Sequence, residues 1–204
     1  MPTGAFYGIT TNPLLTSKLG LNYSEIVWKE MVSKAADLGA KELHIQIYGD
    51  VNKALSFAKD IYGLGRSLDI DCVIKIPFTL EGILLSRKIK ELGAKILMTA
   101  CYEPKQMITA CALKADYVAP YFGRMMDEGL DAMAHMKVIE KIARNSTCIP
   151  VIASLRSVQQ LLDIAEIGHN CFTISPDVAK DLFSSKFTNA AAIAFETAIK
   201  GDKL

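Results

Sequence analysis

The stretch CVIKIP, residues 72–77, places one lysine inside a run of residues that is typical of a buried β-strand. Side chains alternate between the two faces of a strand, so Ile74 and Ile76 share one face and Lys75 lies on the other. We expect the aliphatic pair to pack against helices, which leaves Lys75 pointing to the opposite, interior side. Lysine is rarely buried without a partner or a function, so this position is the first candidate for chemistry.

Strand-like and helix-like segments alternate on both sides of this stretch. Short apolar, β-branched runs that predict strands occupy residues 7–11, 43–47, 72–76, 95–99, 117–121, 150–153 and 172–175. Segments of helical period lie at residues 23–38, 51–64, 80–92, 104–113, 130–143, 158–167, 178–183 and 189–200. Repeated units of this kind require parallel strands with helices packed outside the sheet.

The pattern favours a closed barrel over an open sheet. No G-x-G-x-x-G or G-x-x-x-x-G-K loop opens a helix, which argues against an open nucleotide-binding sheet. We therefore expect an α/β fold, a (β/α)8 TIM-type barrel that forms a single domain over residues 1–204. Only seven strands are predicted, one fewer than such a barrel contains. The last helix either closes the bottom of the barrel or packs on a neighbouring subunit, with Phe195 as its bulky contact.

Composition and charge restrict the class of partner. The 204 residues carry 23 basic and 22 acidic side chains, without a basic run that could hold nucleic acid or an anionic membrane. We find no export signal and no run of about 18 apolar residues, so we expect a cytoplasmic protein. Five scattered cysteines predict reduced thiols, and neither they nor the three histidines predict a metal site. The expected partners are small molecules or further copies of the chain.

Polar side chains recur at the carboxyl ends of the predicted strands, where barrel enzymes build their active sites. They are Asn12, His44, Gln46, Thr99, Tyr121 and Ser154. Burial lowers the pKa of a lysine, so Lys75 among such groups would carry a neutral amine that can attack a carbonyl. The alternatives are an ordinary lysine that reaches solvent, and polar side chains that only satisfy hydrogen bonds in the core.

Two arginines, Arg124 and Arg156, follow consecutive strands late in the chain. Late strand–helix loops commonly bind phosphate in barrels, and a guanidinium fork matches phosphate oxygens. The two side chains therefore indicate a phosphorylated substrate. The alternative is that both arginines form surface ion pairs with Asp127, Glu128 or Asp163.

The assembled pattern resembles a known family, the small transaldolases together with fructose-6-phosphate aldolase, which are Schiff-base aldolases on a (β/α)8 barrel. The matching motifs are GITTNP at 8–13, VIKIP at 73–77, TA at 99–100, VAPY at 118–121 with Arg124, and AS at 153–154 with Arg156. They stand in the family's order and at its spacing over nearly the whole chain, so the match is far more specific than any single motif.

This resemblance implies that Lys75 forms the Schiff base. It also implies that Thr11, Asn12 and Ser154 bind the substrate, and that Asn12 and Ser154 do so by holding hydroxyl groups of the donor sugar. Thr99 would position a catalytic water. Neither a cofactor nor a metal is implied. The resemblance further implies a role in carbohydrate metabolism, such as the pentose phosphate pathway, and a homo-oligomer, a pentamer or decamer.

The resemblance assigns Arg124 and Arg156 to the substrate phosphate, and Gln46 and Tyr121 to the choice of reaction. Glutamine and tyrosine at these places are typical of the aldolase subgroup, where the phenol would orient a proton-shuttling water. We therefore expect fructose-6-phosphate cleavage to dihydroxyacetone and glyceraldehyde 3-phosphate. The alternatives are a transaldolase that transfers a dihydroxyacetone unit between sugar phosphates, a deoxyribose-phosphate type of lysine aldolase, and an inactive barrel that binds a sugar phosphate.

One departure concerns the start of the chain. Family members begin with a strand that carries an aspartate, whereas only residues 1–7 precede the GITTNP motif. Because that aspartate assists proton transfer, we expect either lower activity or a sequence that begins too late. Two strands beside the missing one would also have unpaired backbone edges.

Overall fold

The computed structural model describes residues 3–201. Six strands form one parallel sheet in which the spatial order is the chain order. They are β1 (Gly8–Thr10), β2 (Glu42–Gln46), β3 (Asp71–Pro77), β4 (Ile96–Cys101), β5 (Tyr117–Pro120) and β6 (Ile149–Pro150). Parallel neighbours in chain order require a crossover after each strand, and this arrangement is that of a partial TIM-type barrel.

In the described part of the chain, seven α-helices lie between the strands, and three more follow β6. They are α1 (Pro13–Lys18), α2 (Trp28–Asp37), α3 (Val51–Ser67), α4 (Leu80–Glu91), α5 (Pro104–Ala112), α6 (Phe122–Asp127), α7 (Ala132–Ala143), α8 (Val158–Glu166), α9 (Pro176–Leu182) and α10 (Lys186–Ile199). Many begin where a side chain accepts from the first free backbone N–H groups, as Asp50 does for α3 and Thr79 for α4. Between residues 3 and 201, no helix combines the length and the apolarity needed to cross a membrane.

The alternation predicted for residues 72–77 is confirmed. Ile74 and Ile76 are fully buried in an outer core, which also contains Ile61 of α3 and Ile89 of α4. The other face of the sheet carries a separate inner cluster, whose buried members are Val73, Leu97, Ala119, Tyr121, Val151 and Ala153. Lys75 shares this inner face with Val73, since the two residues are two positions apart on the same strand.

The seventh predicted strand, residues 172–175, is reduced to a single bridge in the structure. Ile152 pairs in parallel with Phe172 there, and no longer ladder extends the six-stranded sheet within residues 3–201. Ser154, in the left-handed region at φ +64°, ends the extended segment on one side, and Ser175 caps α9 on the other. The expectation of seven full strands is therefore wrong.

The sheet curves enough to bring its two ends together through side chains. Thr10 Oγ1 of β1 lies 2.8 Å from Thr173 Oγ1, in the segment that follows the Phe172 bridge. The contact joins hydroxyl groups rather than a backbone ladder, so within residues 3–201 the sheet is a partial barrel whose first strand and last extended segment meet through side chains.

The last helix packs little against the rest of the chain. It begins at Lys186, where Ser185 caps it, and none of its residues is buried. Phe195 is 67% exposed, which argues against the first of the two alternatives, a helix that closes the bottom of its own barrel through this side chain. Phe187, Ile193 and Ile199 are also exposed, so the helix presents an unusual amount of apolar surface.

Candidate active site

Lys75 lies near the carboxyl end of β3 and is only 6% exposed. Its Nζ donates a hydrogen bond to the Thr11 carbonyl oxygen at 2.5 Å, which ties β3 to the loop after β1. Burial lowers the pKa of the Lys75 ammonium to about 8 because the charged form loses its hydration. A large share of the side chain is therefore neutral in mildly alkaline solution, and a neutral amine is the form that attacks a carbonyl.

Thr99 and Tyr121 face the same interior from the next two strands. The Thr99 Oγ1 and Tyr121 Oη atoms are 2.7 Å apart, and both side chains are buried. The register of β3 and β4 pairs Lys75 with Leu97 and Pro77 with Thr99, so Thr99 lies one inward-facing position beyond the partner of Lys75. The two hydroxyls therefore form a polar pair on the same inner face as Lys75, toward the carboxyl ends of the strands, and such a pair can bind a water molecule.

Gln46 stands beside Lys75 on the neighbouring strand, because the two are direct register partners of β2 and β3. Its backbone is held by Tyr23, whose hydroxyl donates to the Gln46 carbonyl and accepts from the Gln46 N–H, both at 2.9 Å. Burial raises the pKa of the Tyr23 phenol to about 12. The sequence does not single out Tyr23, since it lies in a predicted helix and the structure places it in a 3₁₀ turn, Tyr23–Glu25.

The loop after β1 contributes Thr11 and Asn12. The Thr11 hydroxyl donates to the His44 carbonyl at 2.9 Å while its own carbonyl accepts from Lys75, so both ends of this residue are engaged. Asn12 Oδ1 accepts from the Leu14 N–H at 2.8 Å and so caps α1. The amide group of Asn12 therefore already has a structural role at the entrance of α1.

Ser154, four residues after β6, and Ala100, the last but one residue of β4, are held in strained backbone conformations. Their φ angles are +64° and +59°, a region that costs a non-glycine residue free energy and that clusters at functional sites. Gly123 lies against this point, since a Cβ added to it would be 2.2 Å from the Ser154 carbonyl oxygen. Only glycine allows α6 to start this close to Ser154.

The two arginines of the predicted phosphate site lie at the same end of the sheet but differ in their contacts. The Arg124 guanidinium carbon is 4.8 Å from the centre of the Tyr121 ring, a cation–π contact. Arg156 instead forms a two-pronged ion pair with Asp127. The alternative of a surface ion pair therefore applies to Arg156 in the unliganded chain.

A second polar cluster occupies the amino-terminal ends of the strands, and most of its residues are not among the candidates predicted from the sequence. The buried Glu42 carboxylate accepts from Lys95 at 2.8 Å and from Tyr117 at 2.9 Å, and it lies 3.0 Å from His44 Nε2. Burial opposes ionisation, but these hydrogen bonds outweigh it and lower the pKa of Glu42 to about 2. Alternation along β2 is the sequence signal that indicates this cluster, because Glu42 lies on the same face of the strand as His44 and Gln46.

The structure thus brings Lys75, Thr11, Gln46, Thr99 and Tyr121 to one interior, with the remaining candidates on the loops above it. The arrangement combines a buried amine of lowered pKa with hydroxyl groups on neighbouring strands, as amine catalysis of carbonyl chemistry requires. Among residues 3–201 no group of three or more histidine, cysteine, aspartate or glutamate side chains could hold a metal ion.

Two solved structures resemble this fold at low sequence identity. A mandelate oxidase gives a TM-score of 0.53 at 10% identity, covering 70% of this chain and 50% of that one. The PaMucR phosphodiesterase in complex with c-di-GMP gives 0.54 at 11% identity, covering 78% and 77%. At such identities the likeness concerns the fold alone.

Sequence comparison is more specific. A probable transaldolase of Anaeromyxobacter dehalogenans (strain 2CP-C) is 30% identical over 192 residues, which cover 92% of this chain and 84% of the relative. A probable transaldolase of Coprothermobacter proteolyticus is 31% identical over 189 residues, with 91% and 83% covered. The model of the transaldolase/fructose-6-phosphate aldolase family matches residues 1–203. The chain belongs to the transaldolase/fructose-6-phosphate aldolase family.

Proposed function

We propose that the protein is a Schiff-base aldolase of sugar phosphates, which cleaves fructose 6-phosphate to dihydroxyacetone and glyceraldehyde 3-phosphate. The observation that carries this proposal is Lys75, a buried lysine whose pKa is lowered to about 8, on an interior strand face beside the Thr99–Tyr121 hydroxyl pair. A lysine without a chemical role at this place would be replaced by an apolar residue at no cost in packing.

In the proposed reaction the neutral Lys75 amine attacks the C2 ketone, and loss of water gives an iminium ion. The iminium accepts the electron pair of the C3–C4 bond as that bond breaks, while the C4 hydroxyl loses its proton and leaves as the aldehyde. Protonation of the resulting enamine at C3, followed by addition of water, releases dihydroxyacetone and restores the amine. Thr99 and Tyr121 would hold the water that moves these protons.

Gln46 and Tyr121 decide between aldolase and transaldolase in this proposal. An aldolase protonates the enamine, whereas a transaldolase keeps it until an aldehyde phosphate arrives. Tyr121 supplies a phenolic hydroxyl beside Thr99, and Gln46 lies next to Lys75, which together favour water and a proton at the enamine. The names of the relatives, probable transaldolases, favour the alternative, transfer of the dihydroxyacetone unit to a second sugar phosphate.

Substrate binding is proposed for the loops at the carboxyl ends of the strands. Asn12 and Ser154 would bind donor hydroxyls, with Thr11 holding the lysine in place. Arg124 and Arg156 would bind the phosphate, since both lie where α6 meets the loop after β6. No cofactor or metal takes part in this scheme.

The proposed setting is a single (β/α)8-type barrel domain that works as a homo-oligomer in the cytosol, a pentamer or decamer. The Thr10–Thr173 contact supports barrel closure, and the exposed apolar side chains of α10 support subunit association. The odd number of cysteines, five, supports a compartment where thiols stay reduced.

Borohydride trapping tests the function. The protein is incubated with fructose 6-phosphate or with dihydroxyacetone and reduced, and the added mass is located by peptide mass spectrometry. We expect a donor-sized adduct on Lys75, absent in Lys75→Met and present in Lys88→Met, which removes an exposed lysine of α4. Without borohydride, adding erythrose 4-phosphate to the reaction with fructose 6-phosphate separates the two activities: a transaldolase transfers the dihydroxyacetone unit to it and releases no free dihydroxyacetone, whereas an aldolase releases free dihydroxyacetone. An unlabelled Lys75 under all conditions would support the inactive sugar-phosphate-binding barrel instead.

A further inference from the structure

The Arg156–Asp127 pair occupies the place where the proposed function puts the substrate phosphate. Arg156 Nη1 donates to Asp127 Oδ1 at 2.8 Å, and Arg156 Nη2 donates to Asp127 Oδ2. Asp127 is the last residue of α6, the helix that begins directly after Tyr121 and contains Arg124. The carboxylate therefore reaches the arginine from the same helix that flanks the candidate catalytic hydroxyls.

This pairing uses the same donors that a phosphate would use. A guanidinium offers its parallel N–H groups as a fork, and a carboxylate and a phosphate both accept that fork in two-pronged fashion. The positive charge of Arg124 also acts on the Asp127 carboxylate. The hydrogen bond from Arg156, assisted by the charges of both arginines, lowers the pKa of the Asp127 carboxyl, so it is ionised at neutral pH. The Asp127 carboxylate, an anion supplied by the chain itself, thus interacts with both arginines that are candidates for binding the substrate phosphate.

The pair is also easy to displace. Both side chains are about half exposed, at 54% and 49%, and ion pairs at such places contribute little free energy. The Arg156 backbone is held separately, since its N–H donates to Gln160 Oε1 at 2.8 Å at the start of α8. The arginine side chain can therefore turn from the carboxylate to a phosphate while its backbone stays in place.

We propose that Asp127 competes with the substrate phosphate for Arg156 and so sets how strongly the enzyme prefers phosphorylated over unphosphorylated aldehydes. This inference rests on the proposed function, because it takes Arg156 as a phosphate ligand. Asp127 is a specificity-determining residue in this scheme, since it contacts neither the Schiff base nor the reacting carbons. It lowers affinity for glyceraldehyde 3-phosphate and leaves affinity for glyceraldehyde unchanged.

The kinetic test uses the synthesis direction, with dihydroxyacetone as donor and either aldehyde as acceptor. Asp127→Asn keeps the size of the side chain and removes its charge, so we expect KM for glyceraldehyde 3-phosphate to fall by about two- to fivefold, with kcat and the glyceraldehyde parameters unchanged. Glu128→Gln is the matched control, because it removes the same charge from the adjacent residue. Arg156→Gln should raise KM for the phosphorylated acceptor alone.

A titration with glycerol 3-phosphate by calorimetry separates this inference from the proposed function, because it needs no turnover. Tighter binding by Asp127→Asn, with Glu128→Gln unchanged, supports the competition even if the wild-type protein proves inactive. Weaker binding by Asp127→Asn would overturn it and make Asp127 a residue that positions Arg156. Equal gains in the two variants would overturn it as well, since the effect would then be one of general charge, and so would unchanged binding in all variants.

Discussion

At the scale of the single residue, the chemistry depends on how Lys75 is solvated. Among residues 3–201 its side chain has one hydrogen bond, to the Thr11 carbonyl, and burial dominates its pKa. A neutral amine can keep this hydrogen bond through one N–H while its lone pair stays free for attack. In the proposed reaction, the contact with Thr11 thus orients the amine without holding it in the ammonium form.

The rate of Schiff-base formation should follow the ionisation of Lys75. With a pKa of about 8, the neutral share rises from about one tenth at pH 7 to about nine tenths at pH 9. We expect the initial rate of borohydride-trapped adduct with dihydroxyacetone to increase about tenfold over this range and then to level off. A rate that keeps rising beyond pH 10 would show that the pKa is that of an ordinary lysine.

Replacing Lys75 should stabilise the fold at neutral pH. Its pKa is lowered from 10.5 to about 8 on folding, so the unfolding free energy rises with pH between these values and is least below pH 8. The buried charge then costs about 3 kcal/mol at pH 7. Lys75→Met should recover up to that amount in urea unfolding at pH 7 and less at pH 10.

The exposed Lys88→Met provides the comparison for this experiment, because its unfolding free energy should stay within about 0.5 kcal/mol of the wild type. Should Lys75→Met be less stable than the wild type at pH 7, the cost of burying the ammonium would be refuted. The expected result, higher stability with no adduct, is the trade of stability for activity that is common at catalytic sites.

At the scale of the element, the amino-terminal ends of three strands are joined through one carboxylate. Glu42 begins β2, Lys95 directly precedes β4 and Tyr117 begins β5, so three separate segments meet at the same oxygens. Lys95 also bonds to Asp71 of β3 at 2.6 Å. Because a buried carboxylate with all these donors is strongly held in its ionised form, the cluster fixes the strand ends opposite the candidate active site.

Glu42→Gln should remove an acid-sensitive part of the stability. Its pKa falls from 4.5 to about 2 on folding, so its contribution is complete above pH 4.5 and is lost as pH falls to 2. We expect the variant to be less stable by about 3 kcal/mol at pH 7 in chemical denaturation, with the gap closing below pH 4. Glu91→Gln, which breaks only the exposed pair with Arg87, is the control. An equal loss at pH 7 and pH 3 would contradict the ionised cluster.

At the scale of the whole molecule, two parts of the structure are available for contact with another subunit. Within residues 3–201 no backbone ladder joins the two ends of the sheet, which approach through the Thr10–Thr173 hydroxyl contact, and α10 buries none of its residues there. An exposed helix that carries phenylalanine and isoleucine gains free energy by burying them against another apolar surface. This exposed surface is the basis on which we propose that subunits associate through α10.

Charged substitutions on α10 should reduce the size of the assembly. In the combined variant Phe187→Asp and Phe195→Asp, two apolar side chains that are 77% and 67% exposed become charged. We expect the mass measured by light scattering after size exclusion to fall toward 22.3 kDa, the mass of one chain. Asn189→Asp adds charge to the same helix without removing apolar surface and should keep the wild-type mass. Unchanged mass in the double variant would exclude α10 from the interface.

Local pattern determined much of the fold and of the site. The faces of β3 and the inward position of Lys75 follow from alternation, which depends only on neighbouring residues. The positions of Thr99, Tyr121 and Ser154 at strand ends also follow, because parallel strands share one carboxyl end. The strand at residues 172–175 could not be judged in this way, since its length depends on how the barrel closes and on the caps around it.

The contacts that give those residues their properties were decided by the tertiary structure. Lys75 donates to a carbonyl that is 64 residues away in the sequence. Tyr23 bonds to the backbone of Gln46, 23 residues away, and Arg156 binds Asp127, 29 residues away. A pattern of neighbours carries no information on such pairs, because they depend on how separate units pack. The sequence by itself determined that a lysine enters the interior of an α/β sheet. The burial that lowers its pKa, and the carboxylate that Arg156 binds, arose only when the units came together.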